Sequence, residues 1–528
     1  MKKAIRVAVV FVFLLIIGSV KGQTPTWSAD VAPIVYSKCT SCHHAGAIAP
    51  FVIESYSDFS SNAAHILDNV LSRKMPPWPP DPAYRRLAHE RLLSVLEIQK
   101  IQAFVVGGMP TGDLATAPSV PVYSNTSQVG IPDTIINTPA YSVGMSTDEY
   151  RCFAIPSGFT QQKKIKCLEF IPGNQAIVHH VLVFWDTTGT CANLDAADPA
   201  PGYVGFGGVG TPNANLIGAW VPGSSPFVLP DAFAFQIPAN ADIVLQFHYA
   251  PGSLGLTDAS HMNVFYNTAG FSRPMYFSPA LNHSSNMTDG PLMIPANTTR
   301  SFHETYTINA GADLALLGVA PHMHWVGKSI SACGVTPSGD TIPFVDIPDW
   351  KFEWQGAYQF RNVIRVPDGT RLLSTAFYDN TTANFNNPTN PPGNVYAGEG
   401  TGDEMMITFF EFSVYMNGDE NISLDTSPLV DLTGIVNPVP APDFDFMLGP
   451  NPAESLLVSH FYLAKPRRLT MFASDMLGKK VKIFFDEKDF LAGDFQYQYS
   501  VSGLPSGCYF ITLSDGLKQS VKKLVITN

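Results

Sequence analysis

The chain has 528 residues, 45% of them hydrophobic and 14% charged, with a formal net charge of −12. That length exceeds what one hydrophobic core organises, so several domains are expected, and the hydrophobic content argues against a disordered chain. The negative balance, with no long basic run, argues against nucleic acid and anionic membrane as partners.

The first residues read as a secretory signal. Lys2, Lys3 and Arg6 form a positive end, residues 7–17 are an apolar run, and Gly18, Ser19 and Gly22 supply small residues before a cleavage at Gln23. The run is short for a bilayer span, a retained anchor being the alternative. Segment 1–22 is thus expected to direct export, which puts the seven cysteines in an oxidising compartment. Two of these belong to the motif below. The remaining Cys152, Cys167, Cys191, Cys333 and Cys508 are an odd set, so at least one has no partner within the chain.

Residues 24–112 predict a small helical domain. Residues 29–36 lead into a cysteine motif, residues 63–71 carry apolar side chains at helical spacing, and residues 92–106 form an amphipathic segment through Leu93, Leu96, Ile98, Ile101 and Phe104, ended by Gly107-Gly108. The motif is Cys39-Thr40-Ser41-Cys42-His43. Two thiols at this spacing add across the vinyl groups of a haem, and the next histidine binds the iron; a thiol redox pair or half a zinc site are the alternatives. A sixth ligand is expected from Met75, which the prolines of residues 76–80 hold on an extended loop, with His44, His65 and Met109 as rivals. The segment resembles a small class I cytochrome c, which implies one covalent haem c and electron transfer.

Residues 113–140 are rich in Pro, Ser, Thr and Ala without a period and predict a flexible linker. Beyond it, strand-like runs (177–185, 243–249, 314–319, 407–415) alternate with Gly/Pro/Asn turns, the signature of β-sandwiches, and the length suits two, divided as 141–275 and 276–435. A Pro-rich break at 436–444 precedes a last domain, 445–528. The expected fold class is therefore multidomain: a small all-α domain, two all-β sandwiches and a small C-terminal all-β sandwich. The last domain contains Leu448-Gly449-Pro450-Asn451-Pro452-Ala453, then Met476-Leu477-Gly478-Lys479, then Leu504-Pro505-Ser506-Gly507-Cys508-Tyr509. That order resembles the C-terminal sorting domain of the type IX secretion system, which implies recognition by that machinery and release to the cell surface or medium.

Three histidine clusters lie in the β-rich middle: His179-His180 in Val178–Phe184, His248 after Gln246, and His322 with His324 in a His-x-His pair. Residues two apart on a strand share a face, so His322 and His324 suit one metal; His179 and His180 are adjacent and share one only where the chain bends. Imidazoles alone admit zinc, copper, iron or nickel, and a thioether from Asp403-Glu404-Met405-Met406 tilts the set toward copper.

In this order the segments resemble the copper type II, ascorbate-dependent monooxygenases, the group of peptidylglycine and dopamine hydroxylases. The resemblance implies two jelly-roll domains with one copper each, facing across a solvent-filled cleft. It assigns His179, His180 and His248 to an electron-transfer copper, with Gln246 behind it. His322, His324 and Met405 go to the copper at which O2 and a small organic substrate meet, Met406 being the rival to Met405. It also implies a bridge between Cys152 and Cys191. Where the peptidylglycine branch anchors a substrate carboxylate, this sequence has Ala320, Ile407 and Phe409, so an apolar or aromatic substrate is expected. The fused haem implies that electrons from an external donor, ascorbate-like or protein, pass through it to the coppers, the linker letting it dock and undock. The alternative is a non-enzymatic haem and copper protein.

Overall fold

The structure, a computed structural model, describes residues 24–433 and 446–527 except 48, 124, 125, 464, 476–478 and 516–518. The expected signal, the break at 436–444 and the start of the second sorting landmark lie outside the described residues.

The N-terminal part is helical: Trp27–Val31, Ala32–Lys38, Tyr56–Ser61, Ala63–Leu71 and Val95–Val106. Ser55 with Asp58, and Ser94 with Glu97, close reciprocal capping boxes that fix two of the starts. The helices bury Trp27, Phe59 and Phe104, with Phe59 lying 5.5 Å from Trp27 and 5.6 Å from Phe104. The last helix begins after its Ser94 cap, later than expected, and turns Leu96 out to solvent at 61% exposure, so this residue is not part of the apolar face.

The middle is two β-sandwiches. In the first, strands 134–137, 261–266, 163–171, 233–237 and 273–274 form one sheet and 203–204, 149–156, 242–249, 178–186 and 215–220 the other. In the second, strands 276–282, 407–414, 314–322 and 358–366 face 298–307, 371–380, 327–335 and 341–347. The C-terminal part packs a three-stranded sheet on a four-stranded one around Phe461, Leu469, Met471, Ile511 and Leu513. Among the described residues no helix is long and apolar enough to cross a membrane.

The two sandwiches are joined by a small apolar core of their own. Leu229 and Phe233 from the first meet Met275, Ala315, Leu317 and Val363. Beside it the Arg273 guanidinium forms a two-pronged ion pair with the buried Asp419 carboxylate, at 2.6 and 2.7 Å. Such a planar fork fixes direction as well as contact.

The expected flexible linker is corrected in two places. Thr134–Asn137 is a strand paired with His261–Tyr266, so the first sandwich starts before residue 141. Tyr123 stacks on His44 at 4.2 Å and shares a hydrogen bond with Thr40, which seats the Pro-rich stretch against the cysteine motif. The helical part is also tied down by an arm that its proline run keeps extended. Trp78 packs edge-on to Tyr358 at 5.5 Å, the Asp81 amide donates to the Asp346 carbonyl at 2.8 Å, and the Ala88 amide donates to the Gln359 carbonyl at 2.8 Å. Leu87 is fully buried in the core of the second sandwich. Two anchors replace the free tether, and docking and undocking of the helical part is not what this geometry provides. Because Leu87 sits in another domain's core, Leu87→Ala should lower the stability of the second sandwich by about 2–5 kcal/mol, read as an earlier urea transition.

Candidate metal centres at the seam between the sandwiches

His180 pairs with His248 across neighbouring strands, and the register slips between Val178 and His180. That slip is a β-bulge, which adds one residue to one strand and re-aims side chains. It turns the adjacent His179 and His180 toward one point, the bend that spacing alone could not supply. His179 Nδ1 lies 3.3 Å and His248 Nδ1 3.4 Å from His180 Nδ1, and the three rings offer ligand atoms within 4.8 Å of one another. Nitrogens 3.3–3.4 Å apart, each about 2.0–2.1 Å from a shared ion, subtend an angle of about 110°, near tetrahedral.

His248 Nε2 donates to the Asp148 carboxylate at 2.7 Å, so its Nδ1 presents a lone pair to His180. A carboxylate behind a ligating imidazole is the usual means of fixing its tautomer. Tyr150 stacks on the same ring at 4.4 Å and 4°. Burial, then the neighbouring imidazoles, push His179 down to about 4 and His180 well below the ordinary histidine range. Burial works to raise Asp148, but hydrogen bonds from His248 and Thr401 hold it below the usual carboxylate range. Gln246, expected behind this cluster, donates instead to the Gly205 carbonyl at 2.7 Å. Asp148 has the place foreseen for it.

His322 ends its strand and its ring lies 5.1 Å from that of His324. His322 Nδ1 bonds Gln355 Oε1 at 2.6 Å and His324 Nδ1 donates to the Asp403 carbonyl at 3.0 Å, which leaves both Nε2 atoms as acceptors. Burial is the main force pushing His322 to about 3 and His324 to about 4. The bend carrying His324 is held by Glu404, whose buried carboxylate accepts the amides of His324, Val326, Gly327 and Met405 at 2.8–3.2 Å. Met406 is fully buried in the second core, while Met405 is half-buried and lies two residues before the strand that opens at Ile407, the partner of His322. Of the two thioethers, Met406 is taken up by the core and Met405 is the more exposed.

The two clusters do not face an open cleft. Phe352 stacks on His179 at 5.1 Å and meets His324 edge-on at 5.6 Å, so one phenyl ring stands between them. Neither Phe352 nor Gln355, Asp148 or Thr401 carries a signal in the sequence; Phe352 opens a single 3-10 turn, the others lie in loops, and all are brought in by tertiary contact.

Around the cysteine motif, His43 Nδ1 donates to the Phe51 carbonyl at 2.8 Å and leaves Nε2 free. Burial and the adjacent Cys42 push the Cys39 thiol up to about 12, the reverse of a reactive thiolate in a redox pair. Among the described residues Cys39, Cys42 and His43 do not form a group whose ligand atoms lie within 4.8 Å of one another. A cross-linked haem with an axial histidine suits this turn. Met75 is half-buried and is not part of the helical core, whereas His65 lies 6.0 Å from the Phe51 ring that also touches His43. Cys39, Cys42 and His43 share one tight turn, in which the Cys42 and His43 amides donate to the Cys39 carbonyl at 3.1 and 3.0 Å, and among the described residues no contact runs to them from Met75.

The bridge between Cys152 and Cys191 is not formed. Both are free, buried thiols in one small core; Cys191 Sγ bonds the Val209 carbonyl, and the Tyr203 hydroxyl interacts with both sulfurs.

The sequence matches the family described as "Secretion system C-terminal sorting domain" over residues 448–527. This domain marks the chain for type IX secretion and a cell-surface or secreted destination. No curated protein matches the chain. Among solved structures it is similar to PNGase F, a glycosylasparaginase from Flavobacterium meningosepticum, at 10% identity and a TM-score of 0.23, over 53% of this chain and 96% of that one. It is also similar to a peptide-N(4)-(N-acetyl-β-D-glucosaminyl) asparagine amidase at 10% identity and a TM-score of 0.24, over 56% of this chain and 98% of that one. At such scores neither likeness bears on activity.

In the metal-free chain His179, His322 and His324 stay neutral well below 6.5, whereas in the unfolded chain they take protons near that value. The unfolded state therefore binds more protons, and stability should fall as pH drops from 6.5 toward about 3–4, with no dependence from these groups above 6.5. Denaturant midpoints measured in chelator across this range check it, and His322→Gln should make the slope shallower.

Proposed function

We propose that the chain is an exported copper-dependent monooxygenase that hydroxylates a C–H bond of a small organic substrate with O2 and receives electrons through its own c-type haem. The observation that carries this is the pairing, at one seam, of a three-imidazole cluster whose nitrogens have the spacing of a shared ion with a second pair of imidazoles, His322 and His324, whose rings lie 5.1 Å apart. Buried imidazoles this close, with their proton-bearing nitrogens turned outward to Asp148, Gln355 and the Asp403 carbonyl, suit cations and little else. His179, His180 and His248 would hold one copper, and His322, His324 and Met405 the other. Each ion would supply one electron by cycling between Cu(II) and Cu(I), the thioether favouring the reduced state. Cys39, Cys42 and His43 would hold the haem, with Met75 or His65 as its second axial ligand. In this reading residues 24–112 are a cytochrome c domain and the two sandwiches are the jelly-roll pair of the copper type II monooxygenases.

The reaction joins one oxygen atom of O2 to the substrate carbon and reduces the other to water, consuming two electrons and two protons. What this chain's residues do is bind, orient and keep water out. Ala320 and Phe409 are paired across neighbouring strands, Ile407 is paired with His322, and Phe277 stacks on Phe409 at 5.1 Å. This apolar strip offers no partner for a carboxylate, so an apolar or aromatic substrate fits it. Phe352, Trp325 and Trp350 cover the His324 side, with Trp350 Nε1 donating to the His324 carbonyl at 3.1 Å.

A non-enzymatic haem and copper electron-transfer protein is the second reading, and Phe352 favours it by standing where a substrate would approach both clusters. Oxygen consumption separates the two. With a reductant present, uptake should rise severalfold when a suitable small aromatic or alkyl substrate is added, yield hydroxylated product, and fall at least about 100-fold in His324→Ala. Slow uptake that ignores every compound offered, in protein containing one haem and two coppers, would favour the second reading. Zinc in place of copper would contradict both.

A further inference from the structure

Thr401 and Asp148 link the two histidine clusters by hydrogen bonds. The Asp148 carboxylate accepts His248 Nε2–H on one oxygen at 2.7 Å and the Thr401 hydroxyl on the other at 2.8 Å, with the Thr401 amide at 3.3 Å. Two residues further on, the Asp403 carbonyl accepts His324 Nδ1–H at 3.0 Å. The path from one cluster to the other is thus imidazole, carboxylate, hydroxyl, one turn of backbone, and imidazole.

The turn is stiff. The Gly400 amide donates to the Asp403 carboxylate at 3.2 Å, the Gly398 amide donates to the Glu404 carbonyl at 3.1 Å, and a Cβ on Gly398 would overlap the Asp403 carboxylate. On the far side the Tyr150 hydroxyl donates to the Glu399 carbonyl at 2.7 Å, while its ring lies flat on His248. The Gly207 amide adds a bond to the Glu399 carboxylate at 2.7 Å. Residues 399–405 therefore belong by sequence to the second sandwich but are held through His248's own partners in the first. The same segment carries Asp403, Glu404 and Met405, which set the second cluster.

We infer that the segment 399–405 is a strap through which filling of the His179/His180/His248 cluster strengthens cation binding at the His322/His324/Met405 cluster, with Asp148 and Thr401 as its positioning residues. This rests on the metal-binding reading above. An ion at the first cluster fixes the His248 ring; the ring fixes the Asp148 carboxylate; the carboxylate fixes Thr401, and with it the Asp403 carbonyl that orients His324. Without that ion, His248 has one fewer partner and the carboxylate one fewer constraint. Coupling between sites of this kind is reciprocal and typically amounts to a factor of about 5–150.

The test uses the full chain and cupric ion alone, followed by calorimetric titration with a competing chelator. His179→Ala removes the first site without touching Asp148. The second cluster should bind cupric ion at least about fivefold more weakly in His179→Ala than in the parent chain with its first site full. Thr401→Val, nearly isosteric, should bring the parent's affinity at the second cluster down to the His179→Ala level while leaving the thermal midpoint close to the parent. Thr401→Ser should restore the coupling, a rescue that a merely structural threonine would not give. Equal second-site affinity in the parent and His179→Ala, or a Thr401→Val chain that keeps the parent's ratio, overturns the strap. A parent chain that retains no copper at either cluster overturns the metal reading and the strap together, so the two failures are told apart.

Discussion

Five imidazoles are packed at one seam, His248 and His324 buried and the other three half-buried, and at His179, His180, His322 and His324 burial opposes a charge. A neutral imidazole has one N–H to give. At His248 and His324 that proton goes outward, to a carboxylate and a carbonyl, and His322 Nδ1 is likewise engaged by an amide oxygen. What remains inward is a set of acceptors with too few donors among them. Leaving such groups unpaired in a protein interior costs roughly 1–3 kcal/mol each, a cost that the proposed cations would relieve. The rest of the middle of this molecule can be understood as what makes that gathering tolerable.

The scaffold achieves it with rigid parts. A bulge re-aims two adjacent histidines, a buried carboxylate collects four amides to hold a bend, and a forked ion pair with a small apolar core locks the sandwiches together. The last of these matters most for distance. Two clusters on separate domains keep a fixed separation only if the domains do, and Phe352 then fills the space between without needing to move for the apoprotein's sake. The helical part is joined to the second sandwich through contacts of its proline-rich arm, so in the proposed relay electrons arriving there would travel over a set path and not by diffusion of a tethered domain.

Much of this was legible in the sequence and some was not. The strand runs, the helix at 63–71 and the break in character after the cysteine motif follow from period and turn residues, which are local properties. The histidine sets were visible because His179-His180 and His322-x-His324 are short-range patterns. Their convergence was not, since it depends on a one-residue bulge that no propensity encodes. Asp148 lies 100 residues from His248 and Thr401 lies 253 from Asp148, so partners of this kind leave no spacing to read. The Pro-rich stretch misled for a related reason. Proline and serine describe a chain without regular structure, but not whether it is free; here Tyr123 and strand 134–137 tie it down. The cysteine pair misled because a family likeness says nothing of the tyrosine hydroxyl placed between two sulfurs.

The direct test of the central claim is an anomalous-scattering map of the copper-reconstituted chain, collected on both sides of the copper absorption edge. Two copper peaks are predicted, one within about 2 Å of the Nδ1 atoms of His179, His180 and His248 and one beside His322, His324 and the Met405 sulfur. A map with no transition metal at either place, or with one peak shared away from these side chains, would contradict the account.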